Sequence, residues 1–154
     1  MQQVCSTLDR ARPAAPLVLR AVVGGLFVWH GLDKFDAGIP MIETMFRTRG
    51  VPAPGLTAPL TAVLEIVAGA MLVLGLGTRL AAMALSVVMV GALIYVKRDL
   101  GIISNQPMPG AELDLALLAG LVAVMVIGPG RVSLDRRLGI ESRDRATDGQ
   151  PALV

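Results

Sequence analysis

The sequence predicts an all-α integral membrane protein, an antiparallel bundle of four spanning helices. Composition is the first reason: of 154 residues, 54% are hydrophobic and 17% charged, against about 45–50% and about 25% in soluble domains. Distribution is the second, because the charges crowd between four long apolar blocks. The third is length: a span takes about 20 mostly apolar residues, so four take roughly 80 and leave only loops and tails.

The same composition excludes several chemistries. Cys5 is the single cysteine and His30 the single histidine. One chain therefore holds no disulfide, CxxC pair, cysteine zinc site or bis-histidine haem, and no metal site is expected. Neither GxGxxG nor GxxxxGK[ST] occurs, which removes both nucleotide motifs. The net charge of +2 suggests no nucleic-acid partner, because the arginines flank apolar blocks as orientation signals do.

Residues 1–13 read as a cytoplasmic leader carrying Arg10 and Arg12. Pro13 and Pro16 introduce the first span, about 16–32. It reads as retained rather than cleaved, since Trp29, His30, Gly31, Leu32, Asp33 and Lys34 follow with no small-x-small cleavage pattern. In the next connection Ile42, Met45 and Phe46 recur at helical spacing opposite Glu43, Arg47 and Arg49. That pattern predicts a short helix lying at the membrane interface, broken by the glycines and prolines of 50–55.

The second span, about 58–77, is apolar apart from Thr61 and Glu65. Gly75-Leu-Gly77-Thr-Arg79 turns it into the third, about 80–96, which Lys97, Arg98 and Asp99 end. A loop with Pro107 and Pro109 leads to the fourth span, about 112–128, which stops at Gly128-Pro-Gly130. The membrane domain is thus 14–130. Residues 131–154 alternate charges with Gly, Ser and Pro and read as a largely disordered cytoplasmic tail. Eight Lys and Arg fall on the side of the termini and five on the other, which predicts both termini in the cytoplasm. Small residues mark expected packing faces: Ala58, Thr61, Glu65 and Gly69 on the second helix, and Glu112, Ala116, Gly120 and Ala123 on the fourth.

Glu65 is the most informative residue. Near mid-membrane a charge costs at least ~2.5–3.5 kcal/mol, so Glu65 must face the bundle interior, protonated or paired. Depth places His30 and Lys34 in the same half, with Glu112 and Asp114 opening the fourth helix at that boundary. These residues, with Arg20, form the candidate polar cluster. Arg20 lies in the other half of the first helix, on a face with Gly24, Phe27 and Gly31; it either reaches toward Glu65 or snorkels to the cytoplasmic interface. Trp29 and Tyr95 read as interfacial anchors, and the eight methionines as core filler.

The chain resembles the DoxX family of small bacterial membrane proteins. The resemblance runs through Leu19-Arg20, Gly24-Gly25-Leu-Phe27, His30-Gly31-Leu-Asp-Lys34-Phe35, Glu65-Ile-Val-Ala-Gly69, Gly75-Leu-Gly77-Thr-Arg79, Glu112-Leu-Asp114 and Gly128-Pro-Gly130-Arg-Val-Ser133-Leu-Asp135, in that order. It implies a four-span protein of the bacterial plasma membrane, and a link to quinone-coupled redox chemistry seen in some relatives. With no redox centre among its own side chains, electron transfer would use a bound quinone or a partner subunit's cofactor. Arg20, His30 and Glu65 are the groups that could position a quinone carbonyl. The resulting expectation is an accessory or scaffold subunit of a quinone-linked membrane assembly, with protein partners in the bilayer. The alternatives are an independent quinone-interacting oxidoreductase and a homo-oligomeric small-solute transporter, since buried carboxylates often mark ion paths.

Overall fold

The computed structural model describes residues 12–103 and 110–140. Cys5, most of the leader, the loop prolines Pro107 and Pro109 and residues 141–154 lie outside the described residues. Within them every regular element is helical, with no strands. A 3-10 turn at Arg12–Ala14 leads into α1 (Ala15–Ala37), followed by α2 (Ile39–Thr48), α3 (Pro54–Leu74) and α4 (Thr78–Gly91). A π-helical turn at Ala92–Val96 extends α4; α5 (Glu112–Ile127) and a short α6 (Leu134–Leu138) complete the fold.

Three helical stretches are long and apolar enough to cross a bilayer: Ala15–Ala37, Pro54–Leu74 and Thr78–Val96. The 16 residues of α5 rise roughly 24 Å at 1.5 Å each. Its ends nevertheless match those of α4. The Arg79 Nε–H donates to the Met125 carbonyl at 3.1 Å, and Lys97 faces Asp114 at 3.8 Å, so α5 covers the depth of its neighbour. The four long helices close an antiparallel ring in which α1 packs on α3, α3 on α4, α4 on α5, and α5 back on α1.

The α1–α3 contact is the most extensive, and glycine makes it possible. A Cβ on Gly24 would lie 2.6 Å from the Gly69 carbonyl oxygen, and one on Gly69 would lie 2.7 Å from the Gly24 carbonyl oxygen. At Gly31 a Cβ would sit 2.7 Å from the Ala62 carbonyl oxygen. Close backbone approach of this kind replaces the hydrophobic drive that lipid removes. Around the bundle axis Val23, Phe27, Leu72, Leu85, Leu121 and Val124 form an apolar core, while Val22, Val67, Val87 and Val126 turn outward.

Several boundaries differ from those the sequence predicts. The first helix continues past Leu32 to Ala37, because the charge of Lys34 is paired inside the bundle rather than left to end the span. The second begins at Pro54 rather than at 58, since a proline at the first turn removes an N–H that would be unsatisfied there anyway. Glu65 thus sits eleven residues, roughly 16 Å, into its helix. The short helix predicted for this connection is present as α2. Gly38, with φ of 91°, lets the chain fold back from α1, and only Phe46 of α2 is buried.

On α5 the buried residues are Asp114, Leu117, Leu121 and Val124, whereas Glu112 and Ala116 are exposed. Packing there follows the larger residues, because Ala81 and Ala82 on α4 already supply the short side chains. Gly120 still matters, as a Cβ on it would meet Val23 of α1 at 3.0 Å.

The expected disordered tail needs correction at its start: residues 131–140 are ordered, and α6 lies within them. The cause is a set of specific hydrogen bonds to the α3–α4 turn, which composition does not encode.

Candidate functional site

The ionisable side chains inside the bundle form two separate groups. The proximal end of the bundle holds the start of α1, the α3–α4 turn and the end of α5; the distal end holds α2. At the proximal end Arg20 is fully buried (0% exposed). Its guanidinium donates to the Val132 carbonyl at 2.5 Å and to the Leu72 carbonyl at 3.4 Å. Arg20 thus neither reaches Glu65 nor snorkels into water; it ties the tail to the membrane helices.

Asp135, also 0% exposed, completes this group. Its carboxylate accepts the Gly77 N–H at 2.6 Å, the Thr78 N–H at 2.9 Å and the Thr78 hydroxyl at 2.8 Å. Its own N–H donates to the Gly75 carbonyl at 2.8 Å. The first helical N–H groups of α4 have no intrahelical partner, and the positive end of the helix dipole favours an anion there. Asp135 therefore caps α4 from 57 residues away in sequence. Burial pushes its carboxyl up, but the hydrogen bonds from Thr78 and Gly77 and the nearby Arg20 charge outweigh that and hold it below the usual aspartate range. Gly75 is fixed by the same arrangement: its φ is 70°, and a Cβ there would run into the Arg20 guanidinium.

At the distal end the Glu65 side chain is 2% exposed and forms an ion pair with Lys34, which reaches it from α1. Lys34 also donates to the His30 carbonyl at 3.5 Å. Across the bundle, Lys97 faces Asp114 at 3.8 Å. The π turn positions this cation: the Lys97 N–H donates to the Ala92 carbonyl at 2.9 Å, five residues back, so Tyr95 and Lys97 both come to line the bundle interior. Single π turns inside α-helices often occur at functional sites.

Between these pairs lies a cavity of about 550 Å3. His30, Lys34, Glu65, Lys97, Asp114 and Tyr95 contribute its polar lining. Leu60, Leu64, Val87, Val88, Met89 and Leu117 form its apolar walls, while Met45 and Phe46 of α2 lie over it. Among the predicted site residues the structure brings together His30, Lys34, Glu65 and Asp114. Arg20 belongs to the proximal group, and Glu112 is exposed and does not line the cavity. Trp29 is 70% exposed at the helix surface, whereas Tyr95 faces the cavity.

Sequence reasoning missed Lys97 as a cavity-lining cation, read Tyr95 only as an interfacial anchor, and named Asp135 only within the family stretch, without its capping role. For Lys97 a signal existed: the end of the third span and the start of the fourth share one boundary, which places Lys97 opposite Asp114. Phe27, Leu72, Leu85 and Leu121, all at 0% exposure, form a packed layer between the distal cavity and the proximal Arg20–Asp135 group.

A helical membrane bundle with a paired-charge cavity in one half is the class that this fold and site define. The DoxX family model matches residues 15–98, from the start of α1 past the π turn, and the chain belongs to the DoxX family. Among its relatives is the membrane protein Rv3486 of Mycobacterium tuberculosis, 39% identical over 134 residues and 82% of each chain. Another is the Bacillus subtilis protein named "Putative oxidoreductase CatD", 30% identical over 83% of this chain and 90% of that one. The inner membrane protein YphA of Escherichia coli is 26% identical over 82% and 92% of the two chains. No solved structure matches.

Proposed function

We propose that this protein is a quinone-holding accessory subunit of a redox assembly in the bacterial plasma membrane, with both termini in the cytoplasm. The observation that carries the reading is the distal cavity: about 550 Å3 of mostly apolar space inside a membrane bundle, lined by four charged side chains and a histidine. Ligand sites of this kind combine apolar walls with a few convergent polar groups. The name of the Bacillus subtilis relative supports a redox setting.

The residues present suit a quinone. Leu60, Leu64, Val88 and Leu117 would enclose a ring and the first units of an isoprenoid tail. The Lys34 and Lys97 ammonium groups and the His30 ring N–H line the cavity and would offer hydrogen bonds to its carbonyls, while Glu65 holds Lys34 in place. When bound, the quinone supplies a two-electron, two-proton carrier. The chain's own part is to bind it, exclude water and orient its polar head, with electrons supplied by a partner subunit's cofactor. The packed layer of Phe27, Leu72, Leu85 and Leu121 weighs against a solute path through one chain.

The direct experiment is to purify the protein from its native membranes in mild detergent and quantify extracted quinone. About one quinone per chain in the wild type, lost in Glu65→Gln with helicity unchanged, is the expected result. A quinone-free wild type, or retention indifferent to that substitution, would remove the proposal. Quinone reduction by the isolated chain with a soluble electron donor would instead identify an independent enzyme, the reading that the relative's name favours.

A further inference from the structure

We infer that the distal cavity selects the reduced, hydroxyl-bearing form of a lipid-soluble quinone, with the Asp114 carboxylate accepting a hydrogen bond from one of its hydroxyls. The inference rests on the quinone reading above and adds which redox form is held and by which atom.

Three observations carry it. The first is charge. Lys34 and Lys97 face Glu65 and Asp114, so with a neutral His30 the lining sums to zero. A charged head group would leave one buried charge uncompensated, which is costly; the occupant's head is neutral.

The second is hydrogen bonding. Asp114 is about nine-tenths buried (9% exposed), and its Oδ2 accepts no hydrogen bond from the described protein groups. Lys97 stands at 3.8 Å, close enough for charge attraction but beyond a hydrogen bond. A carboxylate oxygen only accepts, and leaving this one without a donor is unfavourable in a buried site. An oxidised quinone brings two carbonyl acceptors and no donor, so it leaves Asp114 as it is. The reduced form brings two O–H donors and satisfies it.

The third is access. Leu60 on α3 and Val87 on α4 both line the cavity, yet they are 55% and 69% exposed at the helix surface. They form a rim between two helices at membrane depth, so an occupant enters sideways from lipid. This favours an amphipathic, membrane-soluble molecule over a solute arriving from water.

The test compares decylubiquinol, kept reduced under anaerobic conditions, with decylubiquinone. Binding of each to the purified protein in lipid nanodiscs is measured by titration and by the shift in melting temperature. The wild type should bind the reduced analogue about 10-fold or more tightly than the oxidised one, the scale of one charge-assisted hydrogen bond. Asp114→Asn should weaken the reduced analogue by a similar factor and erase the preference, since an amide can also donate to a carbonyl. Should Asp114→Asn fail to fold, the wild-type ratio decides alone. Equal or tighter binding of the oxidised analogue by the wild type overturns the inference while leaving a quinone site standing. Binding of neither analogue overturns both readings.

Discussion

At the scale of single residues, two carboxylates hold opposite ends of the molecule. Asp135 ties the tail to the α3–α4 turn through hydrogen bonds that need its ionised form. Because its pKa is depressed in the folded protein, it contributes stability above the ordinary value of 3.8. That contribution is lost as pH falls through the lower folded value. Thermal unfolding in detergent should therefore show a wild-type advantage over Asp135→Asn of about 2 kcal/mol at pH 7, narrowing below about pH 4. A gap that stays constant with pH would contradict the cap.

Glu65 behaves differently, since its partner Lys34 shares the bundle interior. Removing either charge alone should cost about 3 kcal/mol. The double variant Lys34→Met with Glu65→Leu should recover most of that stability while losing quinone retention, as read by melting curves and extraction. Recovered stability with retained quinone would separate the ion pair from the site.

The intramembrane position and interior orientation of Glu65 were legible because an apolar helix cannot leave a carboxylate in lipid. Asp135 was not legible: a capping contact between positions 57 residues apart leaves no local pattern, and its flanks have the composition of a tail.

At the scale of elements, glycine pairing sets how closely α1 and α3 approach. Gly24→Ala and Gly69→Ala push a methyl group into a facing backbone, whereas a Cβ on Gly25 meets nothing within 4 Å. Each of the first two should destabilise by about 1–3 kcal/mol through overpacking. Gly25→Ala should be neutral or stabilising by up to ~1 kcal/mol. Equal losses at all three positions, measured by unfolding in detergent, would mean that the helices do not meet along this line. Apolar periodicity and turn chemistry made the existence of each long helix and of α2 legible. The facing side of α5 was not, because small residues lie on several sides of that helix and its buried face is set by what α4 presents, Ala81 and Ala82. The π turn was likewise hidden, since nothing local in Ala92–Val96 demands an i to i+5 bond.

At the scale of the whole molecule, the two polar groups give the bundle unlike ends. One is closed by Arg20 and Asp135, which hold the tail on the α3–α4 turn; the other encloses the cavity between the two ion pairs. With α5 covering the depth of α4, an even number of crossings returns the chain to its starting side. Reporter fusions at residue 12 and after residue 140 should both report cytoplasm, and a fusion in the α2 segment the opposite face. Opposite faces for the two ends would reduce the crossings to three and place α5 outside the membrane.

The central claim, that the distal cavity is a ligand site reached from lipid, is tested most directly by photo-crosslinking a diazirine-bearing quinone to the protein in nanodiscs and mapping the labelled residues. The account predicts label on the cavity-lining Leu64, Val88 and Leu117, removed by excess unlabelled quinone. Label spread over the lipid-facing Val22, Val67 and Val126, undiminished by competitor, would contradict it.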